Sequence, residues 1–130
     1  MILEQQLAQQ IVDRTMAIIG NNINVMNQAG VIIGSGDSYR IGQTHDGALL
    51  ALQHGDTVEL TQQSCQSLNG AKPGITMLMH SQHDAIGVVG LTGHPNPIRP
   101  SASLVTLTAH IVFHHAPHLH PPQPYRTHHP

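Results

Sequence analysis

Apolar residues recur along the first twenty positions with the period of a helix. Leu3, Leu7, Ile11 and Ile18 fall on one face, and Ala8, Val12 and Ile19 widen it. This pattern predicts an amphipathic helix over residues 3–19, stopped by Gly20-Asn21-Asn22. The period then shortens. Residues 23–26 read as a strand, Asn27-Gln28-Ala29-Gly30 as a turn, and residues 31–33 as its antiparallel partner. A Gly34-Ser35-Gly36 loop follows, with a short helical turn at 38–41. Ala48, Leu49, Leu50 and Leu52 mark a helix over 46–53, ended by His54-Gly55-Asp56. Residues 57–60 are a strand and 61–68 a polar short helix or loop. The turn Lys72-Pro73-Gly74 leads into a strand at 75–80, and residues 81–84 turn it back into 85–91, the clearest hairpin of the chain. Pro95, Pro97 and Pro100 mark an exposed loop. Leu104, Val105, Leu107, Thr108, Ile111 and Val112 then predict a helix over 101–113.

Strands that neighbour one another in sequence, with helices gathered at either end, predict an α+β fold on an antiparallel sheet. Helices and strands do not alternate, so a parallel doubly wound sheet is excluded. Residues 1–113 form one domain in this reading. Residues 114–130 are a His- and Pro-rich tail without apolar period, expected to be disordered.

Composition narrows the picture. Tyr39, Phe113 and Tyr125 are the only aromatic residues, so the core must be aliphatic. The five basic residues Arg14, Arg40, Lys72, Arg99 and Arg126 form no run, which argues against nucleic-acid contact by this segment. Cys65 stands alone, so no internal disulfide forms, and no apolar run reaches membrane-spanning length. A cytoplasmic protein without membrane contact is expected. The carboxylates end at Asp84, while seven of the twelve histidines lie from His110 onward.

The densest chemistry lies in residues 23–52, INVMNQAGVIIGSGDSYRIGQTHDGALLAL. Small residues let backbone approach a ligand closely. Arg40 offers a planar fork of donors to a carboxylate. A helix start led by His45 and Asp46 adds backbone N–H groups and partial positive charge. Together they describe a pocket for a small anion, with Ser35, Gly36, Arg40, Ile41, Gly42, His45, Gly47 and Ala48 as candidate ligand-binding residues. Thr92 and Gly93, at a strand end, and Arg99, as a second anion anchor, complete the set. Each has a plainer reading: Arg40 and Arg99 as surface cations, His45 as a helix-start residue bonded to backbone, and Ser35 and Asp37 as turn caps. A dinucleotide loop is rejected, because Tyr39 stands where the third glycine belongs. Ser35 lacks the strand-to-helix elbow of a catalytic serine, Cys65 reads as inert, and the tail histidines have no Cys or carboxylate beside them. Neither catalysis, nor a cofactor, nor a metal is expected.

Residues 11–109 resemble the sugar diacid recognition domain, the N-terminal sensor of bacterial carbohydrate diacid regulators. The resemblance rests on IVDRTMAIIGNNINVMNQAGVIIGSGDSYRIGQTHDGALLAL, then GAKPGI, IGVVGLTG and IRP, in that order and spacing. The combination GSGDxxRIGxxHxGALL is its specific part. It implies a PAS-like sensor fold and a ligand of the glycerate, glucarate or galactarate class. It also implies control of diacid catabolism genes through a helix-turn-helix output domain, which this sequence is expected to lack. Asp46, Thr76 and Leu78 depart from the family's usual residues, as do His94, His110 and His114. The alternative is a dimerisation module, or a remnant that no longer binds. Both terminal helices are too apolar for one covered face, so a homodimer is expected.

Overall fold

A computed structural model describes residues 3–68 and 71–115. Helix α1 (Gln5–Ile18) precedes strands β1 (Ile23–Met26) and β2 (Ile32–Ser35). A 3-10 turn (Ser38–Arg40), helix α2 (Asp46–His54), strand β3 (Val58–Leu60) and helix α3 (Gln62–Cys65) come next. The hairpin β4 (Gly74–Ser81) and β5 (Asp84–Thr92) leads into helix α4 (Pro95–His114). The five strands form one antiparallel sheet in the order β2-β1-β5-β4-β3. The α+β class holds.

Strand periodicity divides the side chains cleanly between the two faces. Ile23 and Val25 of β1, Val89 and Leu91 of β5, and Ile75, Met77 and Met79 of β4 join the core under α1 and α4. Those helices add Leu7, Ala8, Ile11, Val12, Val105, Ala109, Val112 and Phe113. The alternate residues Met26, Val88 and Ile32 meet Ala48 and Ala51 of α2 on the opposite face, with Leu78, Val58 and Ile41 around them. That second core is small, because α2 is short and buries only small side chains.

Two expectations are corrected. Gly34 and Ser35 are not loop but the end of β2. Gly34 sits under α1, where a Cβ would come within 2.8 Å of the Ala8 carbonyl carbon, so the glycine allows helix and strand to touch. The prolines at 95, 97 and 100 are not an exposed loop either, because α4 begins at Pro95. Pro95 and Pro97 stand in the first turn, whose N–H groups are unpaired anyway and whose φ suits proline, whereas Pro100 lies inside the helix. The apolar phase of α4 also begins within the proline segment, at Ile98, which is buried. The expected tail begins at His114, which closes α4, with His115 after it; residues 116–130 lie outside the described residues. Among the described residues no helix is long and apolar enough to cross a membrane.

Candidate functional site

One row of residues crosses the sheet on the α2 face. The strand pairings set Ser35 opposite Asn24, Asn24 opposite Gly90, Gly90 opposite Thr76 and Thr76 opposite Val58. Ser35, Asn24 and Thr76 make this row polar where its neighbours are apolar, and Gly90 leaves room at its centre. A cleft stands over it, lined by Asn24, Arg40, His45, Lys72, Thr76 and Thr92, with Leu60 and Gly74 at its sides. The space between its walls, mouth included, is about 280 Å³. About 10 Å³ of that admits the centre of a water-sized sphere, the room of one ordered water.

The lining is rich in donors and holds no carboxylate. Arg40 closes the 3-10 turn and is only 5% exposed. Its side chain makes no hydrogen bond or ion pair among the described residues. A buried guanidinium without a counter-charge is costly, and an anion beside it removes that cost. Asn24 is 1% exposed. Its Oδ1 accepts the Ser35 hydroxyl at 2.6 Å, and its Nδ2 makes no hydrogen bond among the described residues. Lys72 is exposed at the rim.

His45 is the N-cap of α2, and its Nδ1 accepts the Ala48 N–H at 3.0 Å. The acceptor role of Nδ1 fixes the neutral tautomer with its proton on Nε2. Burial, and then the Arg40 charge, hold the imidazole pKa down at about 4, with Asp46 opposing. His45 is therefore a neutral donor at pH 7. Thr76 acts differently. Its hydroxyl is shared between the carbonyls of Gly47 (3.3 Å) and Val58 (3.2 Å), so toward a ligand it can only accept.

Of the residues singled out in the sequence, Arg40, His45 and Thr92 meet at this cleft. The others lie around it. Gly47 holds Thr76 through its carbonyl, and the Ala48 N–H is already taken by His45. The α2 start thus contributes the His45 ring rather than the free backbone donor expected at Ala48. Ile41 packs into the α2-side core, and the Gly42 N–H donates to the Ile32 carbonyl at φ 95°. Gly93, at φ 147°, donates its N–H to the Pro73 carbonyl and so ties the rim to the end of β5. Gly36 lies against Asn22 and Met16, and Ser35 reaches the cleft only through Asn24. Arg99 is outside the cleft. It stands at the surface in a two-pronged ion pair with Glu59 at 2.7 Å.

Sequence reasoning missed Asn24, Lys72 and Thr76. Signals were present. Asn24 and Thr76 are polar residues inside apolar strands, and Lys72 is the only lysine of the chain, next to a Pro-Gly turn. Among the described residues no cluster of His, Cys, Asp and Glu could hold a metal.

A five-stranded antiparallel sheet in this order, with α1 and α4 on one face and α2 beside a small cleft on the other, defines a PAS-like sensor fold. The chain superposes on the GAF domain of an Acinetobacter phosphoenolpyruvate-protein phosphotransferase with a TM-score of 0.58. The match covers 93% of this chain and 89% of that one at 11% identity, a likeness of fold alone. The model of the family described as "Putative sugar diacid recognition" matches residues 3–124, and the chain belongs to that family. It is 42% identical over 118 residues to the carbohydrate diacid regulator of Escherichia coli K12, covering 91% of this chain and 31% of the regulator. An uncharacterized protein of Haemophilus influenzae is 43% identical over 113 residues, covering 86% of this chain and 31% of that protein. The uncharacterized protein YsfB of Bacillus subtilis is 30% identical over 119 residues, covering 92% of this chain and 32% of YsfB. The chain spans about a third of the length of these relatives.

Proposed function

We propose that this domain senses a small carboxylate of the glycerate, glucarate or galactarate class in the Arg40 cleft. It does so without catalysis, as the ligand-binding part of a regulator of diacid catabolism genes. One observation carries the reading: Arg40 is buried without an ion pair or side-chain hydrogen bond among the described residues, in a cleft whose other polar side chains are mostly donors. A carboxylate matches that donor set, and Thr76 is placed to accept from a neighbouring hydroxyl. The ligand class comes from the family, with the Escherichia coli relative named a carbohydrate diacid regulator. The cleft has room for about one water, so uptake of a larger acid requires the rim at residues 72–74 to part. A thermal-shift panel of the three acids in carboxylate-free buffer tests the proposal. At least one should raise the melting temperature, and no shift with any of them removes the reading. Mass spectrometry of the bound acid should return it unchanged, and turnover would replace the sensor with an enzyme.

A dimerisation role is favoured by a separate observation. Leu104, Leu107 and Ile111 form an exposed stripe along α4, and Ile18 is 63% exposed at the end of α1. Between Arg99 and His115, α4 carries no Lys, Arg, Asp or Glu, so a second copy meets no like charge there. Sedimentation velocity at high micromolar concentration should show a two-fold dimer that Leu107→Glu dissociates. A monomeric wild type removes the dimer and leaves the sensor intact.

A further inference from the structure

We infer that Ser35 is a positioning residue for anion binding: anchored on α1, it turns the Asn24 amide so that its N–H groups face the cleft. The inference rests on the anion reading of the Arg40 cleft and adds a residue that acts there without touching the ligand.

The hydrogen bonds fix the direction of the amide. A serine hydroxyl has one proton to give. Ser35 Oγ accepts the Asp37 N–H at 2.9 Å and donates its own proton to Asn24 Oδ1 at 2.6 Å. With Oδ1 held from below, Nδ2 is the end left for the cleft that Asn24 lines, and it has no other hydrogen-bond partner among the described residues. Asn24 is 1% exposed and sits in a strand whose other inward residues are apolar. An amide N–H left without a protein partner in a donor-lined cleft is matched by a carboxylate oxygen. The reversed amide would aim a carbonyl at the same anion and repel it.

Ser35 is itself held from the other side of the sheet. β2 is an edge strand, and the Gln9 side chain of α1 serves as its missing neighbour. The Ser35 N–H donates to Gln9 Oε1 at 3.0 Å, and Gln9 Nε2 donates to the Ser35 carbonyl at 3.1 Å. A continuous chain therefore runs from α1 through Gln9, Ser35 and Asn24 to the cleft floor.

The test uses calorimetry with glycerate and galactarate, together with side-chain amide NMR. Ser35→Ala frees the Asn24 amide to turn and should weaken binding by about tenfold, the effect of roughly one misplaced hydrogen bond. Asn24→Ala should weaken it similarly. Adding Ser35→Ala to Asn24→Ala should then change nothing further, because the serine acts only through the amide. In the wild type, titration with the acid should move the Asn24 side-chain amide signals, a signature that needs no folded variant. Wild-type binding with an unmoved Asn24 amide, undiminished binding in Ser35→Ala, or full additivity of the two substitutions overturns the relay and leaves the anion site standing. Failure of the wild type to bind either acid brings down the anion reading, and the relay with it.

Discussion

The two faces of the sheet are built to opposite rules. Under α1 and α4 lies a continuous aliphatic core around Ile11, Met79 and Phe113, all nearly fully buried. Under α2 the core shrinks to five buried residues, and beside it the same strands present Asn24, Gly90 and Thr76 to a cleft holding a buried cation. One face stabilises the fold. The other holds a buried guanidinium without an ion pair and an Asn24 Nδ2 without a hydrogen bond among the described residues. The strands serve both because their side chains alternate, so one sequence stretch such as Ile23–Met26 supplies core and cleft lining together.

The contrast breaks most visibly under truncation. Phe113→Ala on the α4 side should cost roughly 3–5 kcal/mol of stability, read by denaturant unfolding. Arg40→Ala on the α2 side should cost little or stabilise, since it removes a buried charge that has no ion pair among the described residues. A loss as large as that at Phe113 would assign Arg40 to the core rather than the site.

Acid should also act through the cleft face. His45 has an ordinary pKa near 6.5 in the unfolded chain and about 4 when folded. Above pH 6.5 both states are neutral and the group contributes no pH dependence. Between pH 6.5 and 4 the unfolded chain binds the proton and the folded one resists it, so stability falls with falling pH. Across the whole window this amounts to about 3 kcal/mol. His45→Asn keeps a side-chain acceptor for the Ala48 N–H and should flatten that part of the slope. Denaturant unfolding at pH 7 and pH 5 for both proteins measures it, and equal slopes would contradict the buried neutral imidazole.

The smallest effect belongs to the surface. Arg99 is exposed and paired with Glu59, whose carboxyl that pairing holds below its usual range. Arg99→Ala should leave anion affinity within twofold of wild type and barely move the melting temperature. A tenfold loss of affinity would restore Arg99 as a second anchor.

Most of the fold was legible because periodicity reports burial directly. The swap from helical spacing to alternating strands at Ile23 placed α1 and β1 within a residue or two. The family resemblance was carried by the GSGDxxRIGxxHxGALL stretch, and the family match bears it out. The start of α4 was missed because prolines were taken as loop, although a first helical turn tolerates Pro95 and Pro97 and Ile98 already carried the phase. Half of the cleft was hidden for a different reason. Arg40 and His45 lie near each other in sequence, but Asn24, Lys72 and Thr76 join them only through the β1-β5-β4 pairing. Cross-strand neighbours of that kind leave no local mark beyond a polar residue in an apolar strand.

In the proposed function a carboxylate neutralises Arg40 in the α2-side cleft. Calorimetry of wild type and Arg40→Ala with glycerate, glucarate and galactarate decides it. A charge-assisted hydrogen bond contributes roughly 1.5–3 kcal/mol, so Arg40→Ala should weaken the best acid by about tenfold to a hundredfold while the domain stays folded. Equal affinity in the two proteins would place the anion elsewhere and contradict the account.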